Sequence, residues 1–315
     1  MLLLVSAYGN PRISIVMPIY NQQKFLKCAL DQIFNQTYQN FEVICVNDKS
    51  TDNSEQIIRE YQETRSNLIL VNNPENMGTL NARSVGVLRA SGDYILQFDA
   101  DDNFTSSTVL FDLSVNIQDA SIYHFGETWM YNGTPITDCA GYTDRCDEHV
   151  QGWVNPRLNS TFSSQAIHQS FLKSGISPLI HGKLIKSSVF KQGVNLLGAL
   201  IGVHVTFTED YLLMFALTKF AEQYEPLQVT GYVYNIWEES VLGARKWRKF
   251  VHDQIVVFQF MYLNSDVKGM RDLKKVLEWN LATLKVSTDE KEEICRLLDE
   301  AWLKGVKMCD EIKSE

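Results

Sequence analysis

Over the first 115 residues the apolar positions follow two periods in turn. Ile13-Ser14-Ile15-Val16-Met17 is a β-type run that stops at Pro18, and Pro18-Ile19-Tyr20-Asn21 reads as a loop. Phe25, Leu26, Ala29, Leu30, Ile33 and Phe34 then recur at helical spacing, which predicts a helix from about Gln22 to Asn35 with one apolar face. Phe41-Glu42-Val43-Ile44-Cys45-Val46 is a second strand. It ends in Asn47-Asp48-Lys49-Ser50-Thr51-Asp52, a turn and cap sequence opening a helix that carries Ile57, Ile58 and Tyr61. Leu68 to Val71 predicts a third strand, 72–78 a loop, Leu80 to Ala90 a helix, and Tyr94 to Phe98 a fourth strand. Such alternation gives a parallel α/β sheet with right-handed crossovers. Ligands of such sheets sit beyond the strands' carboxyl ends, where the polar turns Pro18 to Asn21, Asp48 and Asp99 to Asp102 fall.

Between Asp119 and Ser188 the periodicity weakens. Short strand-like pieces such as Ala120 to Phe125 lie among loops rich in Asn, Gly, Thr and Ser, as expected of a variable, ligand-shaping half. Thr208-Glu209-Asp210-Tyr211-Leu212-Leu213-Met214 predicts a helix start with Thr208 as its cap. From about Gly243 the pattern turns helical: Arg245 to Leu263, Met270 to Leu284 and Thr288 to Ile312.

Composition narrows the function classes. The chain has 315 residues, a net charge of −9 and 45% hydrophobic residues, room for one large domain plus an appendage. Its acidic balance repels a phosphate polymer, so no nucleic-acid partner is expected. The longest apolar run, Ile255 to Leu263, falls well short of the roughly 20 residues that span a bilayer. Met1 to Val5 lacks a basic start and a full apolar signal segment, and the cysteines at 28, 45, 139, 146, 295 and 309 form no tight framework. A cytoplasmic location is expected, with Cys45 a buried reduced thiol. The sequons at Asn35, Asn103, Asn132 and Asn159 are read as chance matches, since a glycan on Asn103 would sit beside Asp102.

The candidate chemistry centres on Phe98-Asp99-Ala100-Asp101-Asp102, an apolar strand running into three carboxylates. Like charges gathered at a strand end repel one another unless a cation or an array of donors is present. Mg²⁺ and Mn²⁺ take carboxylate oxygens and are often completed by substrate phosphates, which suggests a metal-diphosphate site. The plainer reading is an acidic, solvated turn with Asp102 capping the next helix.

The ordered set of motifs resembles the family 2 glycosyltransferases of the GT-A fold. It comprises Val16-Met17-Pro18-Ile19-Tyr20-Asn21, Val46 to Asp52, Asn76-Met77-Gly78, Ala82-Arg83, Gly86, Ala90-Ser91-Gly92-Asp93-Tyr94 and Phe98 to Asp102. The resemblance is strong over about residues 12 to 115 and looser to about 240. It implies a Rossmann-like mixed, mostly parallel sheet flanked by helices in residues 1–240. Residues 12–115 would form the nucleotide-binding half, 116–240 the acceptor half, and 241–315 a C-terminal helical extension. The implied activity is inverting, Mn²⁺- or Mg²⁺-dependent transfer of a single sugar from a nucleotide-diphospho-sugar, UDP-linked, to a hydroxyl acceptor.

By the same resemblance Asp48 accepts a hydrogen bond from the uracil imide, and Pro18, Tyr20 and Asn21 line the base pocket. Arg83 stands near the diphosphate, Asp99 and Ala100 face the ribose side, and Asp101, with Asp99, holds the metal. Asp210 is the implied general base, with Glu209 beside it. Lys183, in His181-Gly182-Lys183-Leu184-Ile185, is a substrate or phosphate contact on this reading and a solvated surface lysine on the plain one. The segment Tyr232 to Ser240 resembles one that closes over the donor, with Trp237 and Ser240 as candidates. Asn47, Lys49 and Ser84 depart from the residues frequent at those places, and the Gln-x-x-Arg-Trp motif of processive members is absent.

Other signals are weaker. Cys139, Cys146 and His149 have poor spacing for zinc, and His168 and His204 read as structural. Arg245, Lys246, Trp247, Arg248, Lys249 and Phe250 make a basic aromatic patch suited to a peripheral membrane contact, against a solvated face with a packed tryptophan. Trp279 and Trp302 are expected to pack the helices. Two alternatives remain at this point: a nucleotidyltransferase, for which Pro18 to Lys24 offers only one basic residue, and a non-catalytic sugar-nucleotide-binding module.

Overall fold

The computed structural model describes residues 9–131, 134–135, 161–173, 175–236, 247–265 and 288–301. The four apolar runs become parallel strands β1 (Ile13–Ile19), β2 (Phe41–Asn47), β3 (Leu68–Asn72) and β4 (Tyr94–Gln97), with Ile15 paired to both Val43 and Leu96. Their connections are α1 (Leu26–Phe34), α2 (Ser54–Gln62) and α3 (Thr79–Arg89). The second half adds β5 (Asn103–Phe104), α4 (Val109–Ser114), β6 (Ile122–Tyr131), β7 (Thr134–Pro135), β8 (Phe162–Ser163) and α5 (Ser164–Leu172). It continues with β9 (Lys183–Lys186), α6 (Ser187–Leu196), α7 (Glu209–Thr218), β10 (Gln223–Ile236), α8 (Trp247–Leu263) and α9 (Thr288–Ala301).

The sheet runs β3-β2-β1-β4-β9-β6-β10-β5. Its first four strands are parallel, β9 is antiparallel to both neighbours, and β6 and β10 are parallel again. Side-chain alternation divides the core in two. Val16, Ile44, Val46, Ile95 and Ile185 face α3, α6 and α7, whereas Ile13, Ile15, Met17, Val43 and Leu96 face α1 and α4. Val251, Val257, Phe258 and Met261 of α8 join the first cluster beside Leu212 and Phe215 of α7.

Several expectations are revised. The first helix begins at Leu26 rather than Gln22, because Asn21 is left-handed (φ 55°) and the N–H groups of Gln22 and Gln23 donate to Ser54 Oγ and Asp52 Oδ2 across the turn. Thr208 occupies the N-cap position of α7 with φ 68° and makes no side-chain cap. Its hydroxyl instead accepts from Gln254 Nε2 at 2.6 Å. Of the basic aromatic patch, Phe250 is buried, and the partly exposed Lys249 is tied down by donating to the His204 carbonyl and to Asp253. Arg245, Lys246, the side chains of Trp247 and Arg248, the helix expected at Met270 to Leu284, Trp279 and Trp302 lie outside the described residues. Among the described residues no helix is long and apolar enough to cross a membrane.

Candidate active site

Parallel pairing assembles the site at one sheet edge. Ile19 pairs with Asn47 and Val16 with Gln97, so the loop after β1 lies between Asp48 and Asp99. There Pro18 is half-buried and Tyr20 is 45% exposed. Asn21 ties the loop down, its Oδ1 accepting the Thr51 N–H at 2.7 Å and its own N–H donating to Ser50 Oγ at 3.1 Å. Asp48 is buried and organises the loop before α3. Oδ1 accepts from Asn73 Nδ2 at 2.7 Å and the Met77 N–H at 3.0 Å, while Oδ2 accepts the Gly78 N–H at 2.8 Å. A carboxylate has about four lone-pair positions, so Oδ2 retains capacity for a further donor.

The acidic turn divides its carboxylates by environment. Asp102 does not cap a helix. It is 1% exposed and accepts from the Tyr232 hydroxyl at 2.6 Å and the Asn235 N–H at 2.8 Å. That hydroxyl in turn accepts the Asp99 N–H at 3.2 Å, and Asn235 Nδ2 donates to the Asp101 carbonyl at 2.8 Å. β10 therefore fixes the turn, with Ala100 buried inside it. Burial, then repulsion from Asp99, pushes the Asp101 carboxyl up to about 6.

Arg83 joins this turn to the acidic pair opposite. α3 can lie close to the sheet because residue 86 is glycine; a Cβ there would meet a Val16 methyl at 2.3 Å. Arg83, three residues earlier, is almost fully buried. Its Nη2 meets Asp99 Oδ1 at 2.9 Å, Nη1 donates to Gln97 Oε1 at 3.3 Å, and Nε lies 3.7 Å from Glu209 Oε1. Burial would favour losing its proton, yet the charges of Asp99, Asp210 and Glu209 outweigh that and raise its pKa. Expected beside a diphosphate, Arg83 here underlies the carboxylates. Burial raises the pKa of both Glu209 and Asp210, with Asp210 adding to the effect on Glu209. Asp210 Oδ1 is sealed from solvent and has no hydrogen-bond partner.

A second charged cluster stands behind Asp210. His181 Nδ1 lies 2.9 Å from Glu127 Oε1, with the imidazole stacked on Tyr232 and Tyr234 at centroid distances of 5.2 and 4.6 Å. Burial opposes its charge, but Glu127, Asp210 and Asp99 hold its pKa above the ordinary histidine value. Lys183 is no surface lysine: it is fully buried, donates to the Leu179 carbonyl, and is pushed down to about 8 by burial. Gly182 makes the cluster possible, since at φ 65° a Cβ would stand 2.0 Å from Glu127 Oε1. Gly182→Ala is expected to lower unfolding free energy by at least about 2 kcal/mol. An unchanged urea midpoint would show that Glu127 swings aside without cost.

Among the described residues no three His, Cys, Asp or Glu side chains converge as a metal cage. Asp99 and Asp101 nevertheless suit a hard divalent ion that substrate phosphates complete, because a cation there would relieve the repulsion that raises Asp101. Cys139, Cys146, His149, Trp237 and Ser240 lie outside the described residues. His168 and His204 contact Thr218 Oγ1 and Asn76 Oδ1. The Cys45 thiol is buried and pushed up to about 12.

Comparison with known proteins agrees with this architecture. The model of the glycosyl transferase family 2 matches residues 14–110. A poly(ribitol-phosphate) β-glucosyltransferase of Bacillus spizizenii is 28% identical over 207 residues, covering 64% of this chain and 32% of that one. The glycosyltransferase GlyA of Streptococcus pneumoniae is 38% identical over 93 residues, covering 30% of this chain and 13% of its own. The chain thus spans no more than about a third of the length of either relative. Residues 1–349 of S. aureus TarS, solved with UDP-GlcNAc, superpose with a TM-score of 0.62 at 18% identity, covering 92% of this chain and 80% of that one. A mannosyltransferase of Pyrobaculum calidifontis, solved with GDP-Man and Mn²⁺, gives 0.53 at 15% identity, covering 97% and 79%. At these identities the structural likeness shows the GT-A type of fold.

Proposed function

We propose that this chain, whose residues 14–110 belong to glycosyl transferase family 2, moves a single sugar from a UDP-sugar to a hydroxyl acceptor with inversion at the anomeric carbon. The observation that carries the reading is the Arg83 guanidinium. It reaches Asp99 on the acidic turn and Glu209 beside Asp210 within 4 Å, so that the donor side and a candidate base share one charge network.

In this reading the uracil imide donates to the free position on Asp48 Oδ2, with Pro18, Tyr20 and Asn21 along the base and Asp99 and Ala100 on the ribose side. A divalent cation held by Asp101 and Asp99, when bound, supplies Lewis-acid polarisation of the diphosphate. The Asp210 carboxylate accepts the proton of the acceptor hydroxyl as that oxygen bonds to the anomeric carbon. The bond to the diphosphate oxygen breaks, and the electron pair leaves with UDP. Attack from the face opposite the diphosphate inverts the configuration. Glu209, next to the guanidinium, orients Arg83 and takes no proton from substrate.

UDP with Mn²⁺ is expected to raise the melting temperature by linkage, and Asp101→Ala to weaken UDP binding in Mn²⁺ about tenfold or more with little change in its absence. Mn²⁺-independent binding in both proteins would sink the assignment of Asp101. UDP release from UDP-glucose or UDP-GlcNAc tests turnover itself, water taking the acceptor's place.

A further inference from the structure

The turn that delivers Asp210 is held from outside the nucleotide-binding half. Thr206, Phe207 and Thr208 lead into α7, and the left-handed Thr208 has no cap of its own. Two consecutive side chains of α8 take over that task. Asp253 is fully buried, and its Oδ2 accepts the N–H groups of Thr206 at 2.9 Å and Phe207 at 3.0 Å. Its Oδ1 faces Lys249 Nζ and, at 3.2 Å, His252 Nδ1. Gln254 Nε2 donates to Thr208 Oγ1 at 2.6 Å. On the other side the same segment is bound to α3, the Leu80 N–H donating to the Val205 carbonyl at 3.2 Å and Asn81 Nδ2 to the Val203 carbonyl at 2.9 Å.

We infer that Asp253 and Gln254 are positioning residues for the transfer reaction, α8 serving as a brace that sets the height and angle of Asp210 above the donor. The inference rests on Asp210 being the base. A carboxylate accepting two successive backbone N–H groups fixes a turn that would otherwise carry two orphan donors. Gln254 selects the backbone conformation of the residue two places before the base. Neither side chain is placed at the donor, so both act through the turn alone.

The test uses the full chain with UDP-glucose or UDP-GlcNAc and Mn²⁺. Gln254→Ala, which removes one hydrogen bond, is expected to lower kcat for UDP release tenfold or more with the UDP Kd within twofold. Amide exchange across residues 206–212 should become faster at least tenfold. Asp253→Ala should lower kcat further, and Asp253→Asn, which keeps an oxygen for both N–H groups, should recover most of that loss. Unchanged kcat in Gln254→Ala overturns the inference, whether exchange accelerates or not, because the side chain is then only structural. A parallel loss of kcat and UDP affinity also overturns it. Asp210→Asn is run beside them: if that variant keeps full turnover, it is the assignment of the base that has failed, a result independent of the exchange rates.

Discussion

Asp210→Asn is expected to lower UDP release by about 100- to 10,000-fold, the range of a positioned general base, while the UDP Kd stays within about twofold. The amide keeps the shape of the carboxylate but loses its charge and with it the ability to take a proton. Asp210 lies at the start of α7, away from the loops at Asp48 and Tyr20, so binding of the base and diphosphate should not register the change. The stability readout runs the other way. Burial disfavours the Asp210 charge, so a neutral isostere should leave the melting temperature level or higher, whereas loss of a merely structural carboxylate would lower it. A fall in UDP affinity comparable to the fall in turnover, or residual activity above about a tenth of wild type, would remove Asp210 from the role of base.

The first four strands were legible from residues because they are buried parallel runs that announce themselves as Ile-, Val- and Leu-rich stretches. The same pattern places Asp48 and Asp99 at one edge without any tertiary information. β10 was legible only at its end. Gln223 to Ile236 mixes Glu225, Pro226, Gln228 and Thr230 with apolar residues, and its register with β6 shifts at two places, so no two-residue period survives. It is the structure that puts the rings of Tyr232 and Tyr234 on one face, both stacked on His181. The role of Asp102 was hidden for a different reason: its partners, Tyr232 and Asn235, lie 130 and 133 positions away. Asp253 did leave a trace. It is a charge on the face of α8 that carries Phe250, Val257 and Met261, a place where an acidic residue persists only with fixed partners.

Arg83→Met is the change expected to cost most in stability, about 3 kcal/mol in urea unfolding. Removing one member of a buried charge network leaves the others uncompensated, a penalty of roughly 3–5 kcal/mol. The Asp99 side chain retains 25% exposure, so water screens part of the loss and the lower figure applies. Lysine is a poor replacement, since one ammonium cannot meet Gln97, Asp99 and Glu209 as the planar fork does. The pH dependence follows from the carboxylates. Glu209 and Asp210 are raised above their ordinary values even with the guanidinium present, and its removal raises them further. A group whose folded pKa exceeds its unfolded one binds its proton more tightly in the native state, so stability falls as pH rises through that window. The deficit of Arg83→Met should therefore be largest at neutral pH and shrink as pH falls. Adding Glu209→Gln should recover part of it, because a neutral amide beside the methionine needs no counter-charge. A deficit under about 1 kcal/mol at pH 7 would mean that Asp99, Glu209 and Asp210 are hydrated or already protonated in the native protein. One that failed to shrink toward acid would place its cause in packing around the helix rather than in charge.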